Sequence, residues 1–246
     1  MKNWLLKAFN ITAGSASIIG VLFLFFTDEE NGEIALLAFS LFLLLMLITT
    51  WIGVFKAIKK EYPEDYKKII AFTSYETGDG IHGVYEVFKV IQSKRLVLQQ
   101  IEHNFKWTGS KRPEISSALQ DIKQIIESNN NNYDKAVLSL RKPLKFNETG
   151  TIHVKALTDD FDYKAQPHLD YKVNNEINVI YFRVTLKYKA DDYGKPAKLL
   201  MKPIESGVPV GYQQFGSVPF DKLSKSYQYY LTEPGIGYYY RIEWEK

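Results

Sequence analysis

The chain contains no cysteine, so it has no disulfide bond, no thiolate nucleophile and no cysteine-ligated zinc. Its net charge is also small. There are 31 basic and 28 acidic residues among 246, a balance of +3 that does not by itself indicate a nucleic-acid-binding protein. The four histidines show neither the H-x-x-x-H nor the HExxH spacing of a metal site. We therefore expect no bound metal and no cofactor.

Motifs of enzymes are missing as well. The sequence has no G-x-S-x-G, no phosphate-binding P-loop and no carboxylate pair set apart for acid–base work, which argues against an enzyme. One acidic cluster, Asp159, Asp160 and Asp162 in "TDDFD", could bind a cation. It lacks the spacing of a calcium loop, and a solvated turn after a strand is the preferred interpretation. A membrane-bound enzyme acting through this cluster stays open as an alternative.

Glycines 78, 80 and 83 in "ETGDGIHG" have the G-x-G-x-x-G spacing of a nucleotide loop. Such a loop must end a strand and open a helix. Here the chain from Val84 onward leads into alternating apolar and polar residues, which indicate a strand. We therefore predict a turn at these glycines and no phosphate site.

Long apolar runs are confined to the first 55 residues. Ile34 to Phe55 is 22 residues without a charge, enough at about 1.5 Å per residue to span a bilayer core. The stretch from Ile11 to Phe26 is shorter and is extended by apolar residues before it. A cleaved signal peptide is the rival interpretation of this first stretch. The favoured prediction is a hairpin of two transmembrane helices.

The charges flanking the two stretches predict an orientation. Two basic residues, Lys2 and Lys7, precede the main part of the first stretch. Five lysines follow the second stretch: Lys56, Lys59, Lys60, Lys67 and Lys68. The connection between the two stretches is acidic, with Asp28, Glu29, Glu30 and Glu33. Lysine and arginine favour the cytoplasmic side. We therefore expect a bacterial inner-membrane protein with both termini in the cytoplasm.

Small residues are concentrated in the first apolar stretch, where they would let helices approach closely. The candidates for helix packing or for lining a pore are Thr12, Ala13, Ser15, Ala16, Ser17 and Gly20. Packing within the hairpin, packing between subunits and pore lining are all open.

Three parts are predicted: a transmembrane hairpin over 1–55, a juxtamembrane linker over 56–82 and a cytoplasmic all-β domain over 83–246. Alternating residues place strands at 84–91 and 95–107, paired as a hairpin, and at 135–140, 150–157, 177–189, 197–201, 227–231 and 238–244. Helical spacing of Ile115, Leu119, Ile122, Ile125 and Ile126 predicts one short helix. The expected fold of this domain is a sandwich or barrel.

Two basic segments, "SKR" at 93–95 and "GSKRP" at 109–113, are joined by a predicted strand with a tryptophan at its end. Cationic loops beside an aromatic ring suit the recognition of phosphates and bases. The candidate ligand-binding residues are Lys94, Arg95, Trp107, Lys111 and Arg112. Ordinary solvated turns are the alternative.

Two amino-terminal membrane helices before a β-rich domain resemble the small transmembrane effectors of prokaryotic anti-phage signalling systems, such as CBASS and Hailong. The resemblance implies that a partner nucleotidyltransferase makes a nucleotide or oligonucleotide messenger, which the cytoplasmic domain senses while the helices assemble and permeabilise the membrane. Separately, "FKWTGS" at 105–110 and the segment 142–169 resemble immunoglobulin-like modules of bacterial proteins. That likeness implies a sandwich fold.

The expected function is accordingly an oligomeric membrane effector or ion channel whose β domain senses a nucleotide-type ligand, in anti-phage defence. Its expected partners are further copies of itself, the lipid bilayer and the nucleotide messenger. The alternative is a membrane-tethered β-sandwich adaptor that binds a protein partner and conducts nothing.

Overall fold

A computed structural model describes residues 32–128, 133–204 and 210–246, with side chains described from residue 36. The chain divides into two units, Met1–Pro63 and Glu64–Lys246. We describe each unit separately.

The described part of the first unit is one helix, α1 (Gly32–Glu61). Residues Leu36–Glu61 have a mean hydropathy of 2.3 and are long enough to cross a membrane. The last turn holds Lys59 and Lys60, and Pro63 prevents the helix from continuing because it lacks a backbone N–H. Among the described residues this is the one helix long and apolar enough to cross a membrane.

The predicted two-helix hairpin is therefore wrong for the part of the chain that is described, where one apolar helix stands in place of two. The first apolar stretch, with Thr12, Ala13, Ser15, Ala16, Ser17 and Gly20, lies outside the described residues. The segment 56–82 is also not simply a linker, because it holds the end of α1 and the whole of the first strand.

The second unit is built from strands. Their bounds are β1 (Tyr66–Thr77), β2 (His82–Ser93), β3 (Val97–Phe105), β4 (Glu114–Ser116), β5 (Gln120–Ile126), β6 (Asp134–Lys145), β7 (Thr149–Asp159), β8 (His168–Val173), β9 (Val179–Leu186), β10 (Ala197–Pro203), β11 (Gln213–Val218), β12 (Ser226–Thr232) and β13 (Tyr238–Glu243). They form a six-stranded sheet A in the order β12-β9-β1-β2-β7-β4, a three-stranded sheet B in the order β3-β6-β5, and a four-stranded sheet C in the order β11-β10-β13-β8.

This arrangement differs from an immunoglobulin-like sandwich, which pairs two antiparallel sheets. Here there are three sheets, and β1 pairs with β9 in parallel, with Ile70 opposite Val179 and Thr77 opposite Leu186. The predicted hairpin of strands 84–91 and 95–107 is wrong as a pairing. β2 pairs with β1 and β7 in sheet A, whereas β3 pairs with β6 in sheet B.

The predicted helix around residues 115–126 is also wrong. Ile115 lies in β4, at the edge of sheet A beside β7, and Ile122 and Ile125 lie in β5, which pairs with β6. Isoleucine is branched at Cβ, and such residues favour strands.

One face of sheet A packs against both of the other sheets. Facing sheet C, the core holds Phe182 and Tyr227 from sheet A with Ile242 from β13. Facing sheet B, it holds Ile91 and Ile152 from sheet A with Leu138 from β6. All three sheets therefore meet along this face of sheet A, and the polar side chains that point there lie between sheets.

Candidate functional site

A cavity of about 480 Å³ lies in the second unit and is lined by residues of all three sheets. Ligand sites in proteins are typically 300–1,000 Å³, so the volume suits a small organic ligand. Aromatic rings and basic side chains dominate its wall. The aromatic residues are Tyr75, Tyr85, Phe105, Trp107, Tyr133, Tyr188, Tyr212, Tyr239 and Trp244; the charged ones are Lys106, Lys202, Arg241, Lys246, Asp160 and Asp170.

Two of the rings form a platform where sheet A faces the carboxyl end of β13. Tyr75 and Trp244 stack with their centroids 5.6 Å apart and their planes 28° from parallel. Burial, more than any other cause, raises the pKa of Tyr75 to about 12. The hydroxyl therefore keeps its proton near neutral pH and can donate a hydrogen bond.

The basic end of the cavity is a row of side chains across sheet C. In the register of the strands, Tyr239 on β13 is opposite Lys202 on β10 and Lys172 on β8. The Lys202 amine lies 4.7 Å from the centre of the Tyr212 ring and 5.2 Å from that of Tyr239. Among the described residues these rings are its contacts and no carboxylate lies against it. Its positive charge is thus available to an anionic ligand.

Arg241 adjoins this row and is held in place. Its Nε donates to Asp170 Oδ1 at 2.6 Å, its second terminal nitrogen donates to Asp170 Oδ2 at 2.9 Å, and its guanidinium lies 3.9 Å from the centre of the Tyr212 ring. Tyr212 completes the group by donating its hydroxyl to Asp170 Oδ2 at 3.1 Å. The cluster fixes the direction in which a ligand group would meet the arginine.

The acidic cluster at 159–162 is engaged by neighbouring side chains. Asp160 is 2% exposed and accepts hydrogen bonds from the Ala165 amide and the Lys246 amine, both at 2.7 Å. Asp159 pairs with Lys111 at 2.8 Å, and Ser110 donates to Asp162 at 2.6 Å. Among the described residues, no group of three or more metal-ligating side chains could hold an ion. The cluster organises the turn between β7 and β8.

Of the predicted binding residues, Trp107 lines the cavity. Its indole Nε1 is buried and has no hydrogen-bond partner in the described structure. Glycine is required two residues later, because a Cβ at Gly109 would lie 2.5 Å from that nitrogen. A ligand oxygen is the kind of acceptor that this N–H lacks.

The other four predicted binding residues do not line the cavity. Lys94 is buried and donates to Gln92 Oε1 at 2.7 Å and Asn147 Oδ1 at 2.9 Å. The remaining three form ion pairs: Arg95 with Asp65, Lys111 with Asp159 and Arg112 with Glu127. The structure therefore does not bring the two basic segments together as one site.

Gly78 and Gly80 of the glycine motif lie in the turn between β1 and β2, as the sequence predicts, and Gly83 is the second residue of β2. Asp79 Oδ1 accepts hydrogen bonds from the backbone amides of Ile81 and His82, both at 2.8 Å, and Thr77 accepts one from Gly80. Those amides are the donors that a phosphate would need. The Asp79 carboxylate already accepts from the Ile81 and His82 amides, so these donors are not offered to a phosphate.

Sequence reasoning missed the row on sheet C. The signal was the alternation in "GYYYRIEWEK", where Tyr239 and Arg241 share one face of the strand and Tyr240 and Ile242 share the other. Lys202 is 37 residues from Tyr239 and Asp170 is 71 residues from Arg241 in the sequence, and one sequence contains no sign of that pairing.

No protein-family model matches the chain, and a search of curated proteins finds no match. Among solved structures, an M1 zinc metallopeptidase from Deinococcus radiodurans is similar over 73% of this chain and 42% of its own, at 9% identity and a TM-score of 0.38. Baculovirus P35 is similar over 75% of this chain and 99% of its own, at 9% identity and a TM-score of 0.39. The chain thus spans under half the length of the peptidase, and likenesses at these TM-scores carry no argument about function.

Proposed function

We propose that the second unit is a receptor for a nucleotide-type anion, which binds in this cavity. The observation that supports this most directly is the composition of the wall, where four basic and two acidic side chains accompany nine aromatic rings. Aromatic rings stack on bases of any sequence, and lysine and arginine bind phosphate. A nucleotide is a small ligand that has both a base to stack on the rings and a phosphate to bind the basic side chains.

The two kinds of contact lie in different parts of the wall. Lys202 and Arg241 on sheet C would face the phosphate, and the stacked Tyr75–Trp244 pair would face the base. Trp107 would donate its unpartnered N–H to a ligand oxygen. In this proposal the row on sheet C replaces Lys94, Arg95, Lys111 and Arg112 as the source of positive charge.

The helix α1 gives the receptor a membrane anchor, because Leu36–Glu61 is long and apolar enough to span a bilayer. Lys56, Lys59 and Lys60 lie at the carboxyl end of this helix and Lys67 and Lys68 follow it, while Asp28, Glu29 and Glu30 precede it. Basic residues favour the cytoplasmic side. We therefore place the β unit and the carboxyl terminus in the cytoplasm, under a bacterial inner membrane.

The proposed output is a change in membrane permeability, as in the small transmembrane anti-phage effectors. Ligand binding would shift an equilibrium between two states of the assembly, which requires different affinities for the two states. A water path needs several copies of the chain, because one helix cannot enclose it. The proposal therefore includes a homo-oligomer.

The binding experiment uses full-length protein in lipid nanodiscs and a panel of cyclic and linear nucleotides, with tryptophan fluorescence as the signal. We expect at least one nucleotide to bind and Lys202→Met to weaken it about tenfold, the loss of one charge-assisted contact. The matched control is Lys198→Met, an exposed lysine on the same strand that lies outside the cavity wall. Equal affinity in the wild type and Lys202→Met would contradict the site.

The output is tested separately by dye release from liposomes that contain the same protein, with and without the nucleotide that binds. Release that depends on the nucleotide supports the effector. Binding without release, from protein shown to be inserted, would refute the permeability output and leave the receptor.

The second candidate is the membrane-tethered adaptor. It is favoured by an aromatic ladder on the face of sheet A opposite the cavity, where Phe88, Phe72, Tyr181 and Tyr230 lie in successive contact at 6.4, 4.7 and 4.3 Å between ring centroids. Tyr230 at the end of the ladder is 65% exposed. Exposed aromatic surface is typical of protein interfaces. Replacing Tyr230 by Ser would impair an adaptor and leave nucleotide binding unchanged.

A further inference from the structure

The strand β12 is one edge of sheet A, and in the described structure β9 is its one partner strand. Just before β12, the Lys225 carbonyl accepts a hydrogen bond from the Leu186 amide of β9. Just after it, the Glu233 amide donates to the Asn178 carbonyl, next to the start of β9. Backbone groups point to alternate sides along a strand, so the odd-numbered residues of β12 face β9. The even-numbered residues, which face outward, are Ser226, Gln228, Tyr230 and Thr232.

Three of these four residues leave their backbone groups open. Ser226 exchanges hydrogen bonds with Asp221 at 2.9 and 3.1 Å, which agrees with the outward direction of the even-numbered residues. Among the described residues nothing bonds to the outward N–H and C=O groups of the other three. We call Gln228, Tyr230 and Thr232 the open residues of β12.

The other five edge strands in the described structure each carry a feature that hinders strand addition. β4 has three residues, and β8 contains an aspartate and a lysine. β3 and β5 contain charged residues and register shifts against β6, and β11 contains a glycine and a register shift against β10. By contrast β12, SYQYYLT, has no charge, no proline, no glycine and no register shift. Folded proteins protect edges with charges, prolines and bulges, so this regular, unprotected edge indicates a place where another strand is added.

Aromatic side chains are exposed on both faces of this edge. On one face Tyr230 ends the aromatic ladder: its ring centroid is 4.3 Å from that of Tyr181, and the residue is 65% exposed. On the other face the Tyr229 ring lies 6.4 Å from that of Phe215 on β11, which is 38% exposed. A strand added to β12 would cover these rings and bond to the open residues. The added segment therefore gains both hydrogen bonds and apolar burial.

A second copy of the same strand fits this edge by charge. β12 itself is uncharged, with Lys225 before it and Glu233 after it. Lys225 pairs with Asp191, whose side chain is 94% exposed, and Glu233 has no ion pair among the described residues. Antiparallel pairing of two copies brings the basic end of each strand to the acidic end of the other, whereas parallel pairing would bring like charges together. The membrane anchor proposed above also holds the copies in one bilayer, which raises their effective concentration.

We propose that two copies of the chain pair antiparallel through β12, with Tyr230 of each copy opposite Tyr230 of the other. In this register Gln228 of each copy is opposite Thr232 of the other, so all three open residues exchange backbone hydrogen bonds. The contact is symmetric, as in most homodimers, and the two Tyr230 rings continue the aromatic ladder from one copy into the next. None of the open residues lines the cavity. The pairing therefore specifies one contact of the homo-oligomer in the proposed function and does not depend on nucleotide binding.

The chain contains no cysteine, so single introduced cysteines report this contact without background. The experiment oxidises full-length Tyr230→Cys protein in liposomes with copper phenanthroline and follows disulfide-linked dimers on non-reducing gels. Residues opposite each other in a hydrogen-bonded pair have Cα atoms about 5.5 Å apart, within reach of a disulfide. Gln228→Cys is the matched control on the same strand. Its two copies would lie four residues apart along the strand, about 14 Å, which is too far for a disulfide.

We expect Tyr230→Cys to cross-link at least about tenfold faster than Gln228→Cys, and a mixture of Gln228→Cys and Thr232→Cys proteins to form cross-linked heterodimers. Leu223→Cys, at a residue that is 99% exposed, measures random collision in the bilayer. Tyr230→Cys that cross-links no faster than Leu223→Cys would overturn the proposal. So would a Tyr230→Cys protein that, in cells, cross-links to a different protein and not to itself.

A charge exchange separates pairing from folding. Tyr230→Arg and Tyr230→Glu each place like charges opposite one another, so each alone should weaken pairing about tenfold. An equal mixture should form heterodimers, identified by native mass spectrometry from detergent, because arginine then faces glutamate. No heterodimers in the mixture, or Tyr230→Arg pairing as strongly as the wild type, would overturn the proposal. Nucleotide affinity should be unchanged in both variants, so failure of the pairing and failure of the receptor are separate results.

Discussion

Arg241 and Asp170 face each other across β13 and β8 as a two-pronged ion pair, with nitrogen–oxygen distances of 2.6 and 2.9 Å. Planar pairs of this kind are among the stronger hydrogen-bonded contacts in proteins. This pair lies in the wall of the cavity and is partly shielded from water. It connects the stability of sheet C to the shape of the site.

Replacing Asp170 by Asn should destabilise the protein by about 2–3 kcal/mol, because Arg241 would keep its charge and lose its partner. The measurement is urea denaturation of the full-length protein in detergent, followed by circular dichroism. Glu243→Gln is the matched control. Glu243 is 3.6 Å from Arg241, beyond hydrogen-bond distance, and its loss should cost no more than about 0.5 kcal/mol. Equal losses of unfolding free energy from the two changes would show that the two-pronged pair stabilises the protein no more than the longer contact with Glu243.

Gly83→Ala should disturb the aromatic platform. A Cβ at residue 83 would lie 2.5 Å from the Tyr75 hydroxyl and 2.6 Å from Thr158 Oγ1, so one of these groups must move. We expect a loss of about 1–3 kcal/mol and a change in the tryptophan fluorescence of Trp244, which stacks on Tyr75. Gly78→Ala, in the turn that precedes β2, is the control, because a Cβ there meets nothing within 4 Å. A destabilised Gly78→Ala would mean that the turn itself, and not the contact with Tyr75, sets the effect.

The error over residues 115–126 has a definite physical cause. The register shifts by one residue between Ile122 and Gln124, so Ile122 is opposite Leu138 and Ile125 is opposite Ala136. A bulge places residues three apart on the same face of a strand, which imitates helical spacing. The number of β-branched residues favoured a strand and the spacing favoured a helix, and only the partner strand β6 could decide between them.

The candidate site could likewise be predicted only in part from the sequence. Trp107 was within reach of the sequence because it adjoins a basic segment, and it lines the cavity. Of the residues in the basic segments, Arg95, Lys111 and Arg112 pair with acidic residues outside those segments. A run of charge in the sequence shows which residues are basic; whether a carboxylate neutralises them is decided by tertiary pairing.

The double change Lys111→Met, Arg112→Met should therefore leave nucleotide affinity within about twofold of the wild type. Both side chains are more than half exposed and ion-paired, and exposed pairs contribute little. Titration of nucleotide by fluorescence, beside Lys202→Met, measures this. A loss of nucleotide affinity as large as that caused by Lys202→Met would show that the nucleotide binds at the loop 109–113 instead.

Lys89→Met should stabilise the protein at pH 7 by about 2 kcal/mol, because the buried amine is costly to protonate. The pKa of Lys89 falls from its ordinary value near 10.4 to about 7 on folding. Between these values the unfolded chain binds a proton that the folded chain does not, so wild-type stability rises with pH. Urea midpoints at pH 7, 8.5 and 10 should converge for the two proteins. Lys67→Met, on an exposed lysine, should keep the wild-type slope; a Lys89→Met protein less stable at pH 7 would show that the charged amine is well solvated.

His82 and Asp79 should titrate as a pair in the turn between β1 and β2. The hydrogen bond from the ring, with Nδ1 2.7 Å from Asp79 Oδ2, raises the pKa of His82 and lowers that of Asp79. The histidine contribution to stability is then fully present below the ordinary histidine value and is lost as pH rises through the raised pKa. The aspartate contribution is present above the ordinary carboxyl pKa and is lost as pH falls through the lowered pKa.

Asp79→Asn should return the pKa of His82 toward about 6.5, as measured by NMR of the ring protons. His168, whose pKa is lowered by burial, lies in β8 and should not change. An unchanged His82 titration in Asp79→Asn would mean that the turn in solution does not hold the two side chains together.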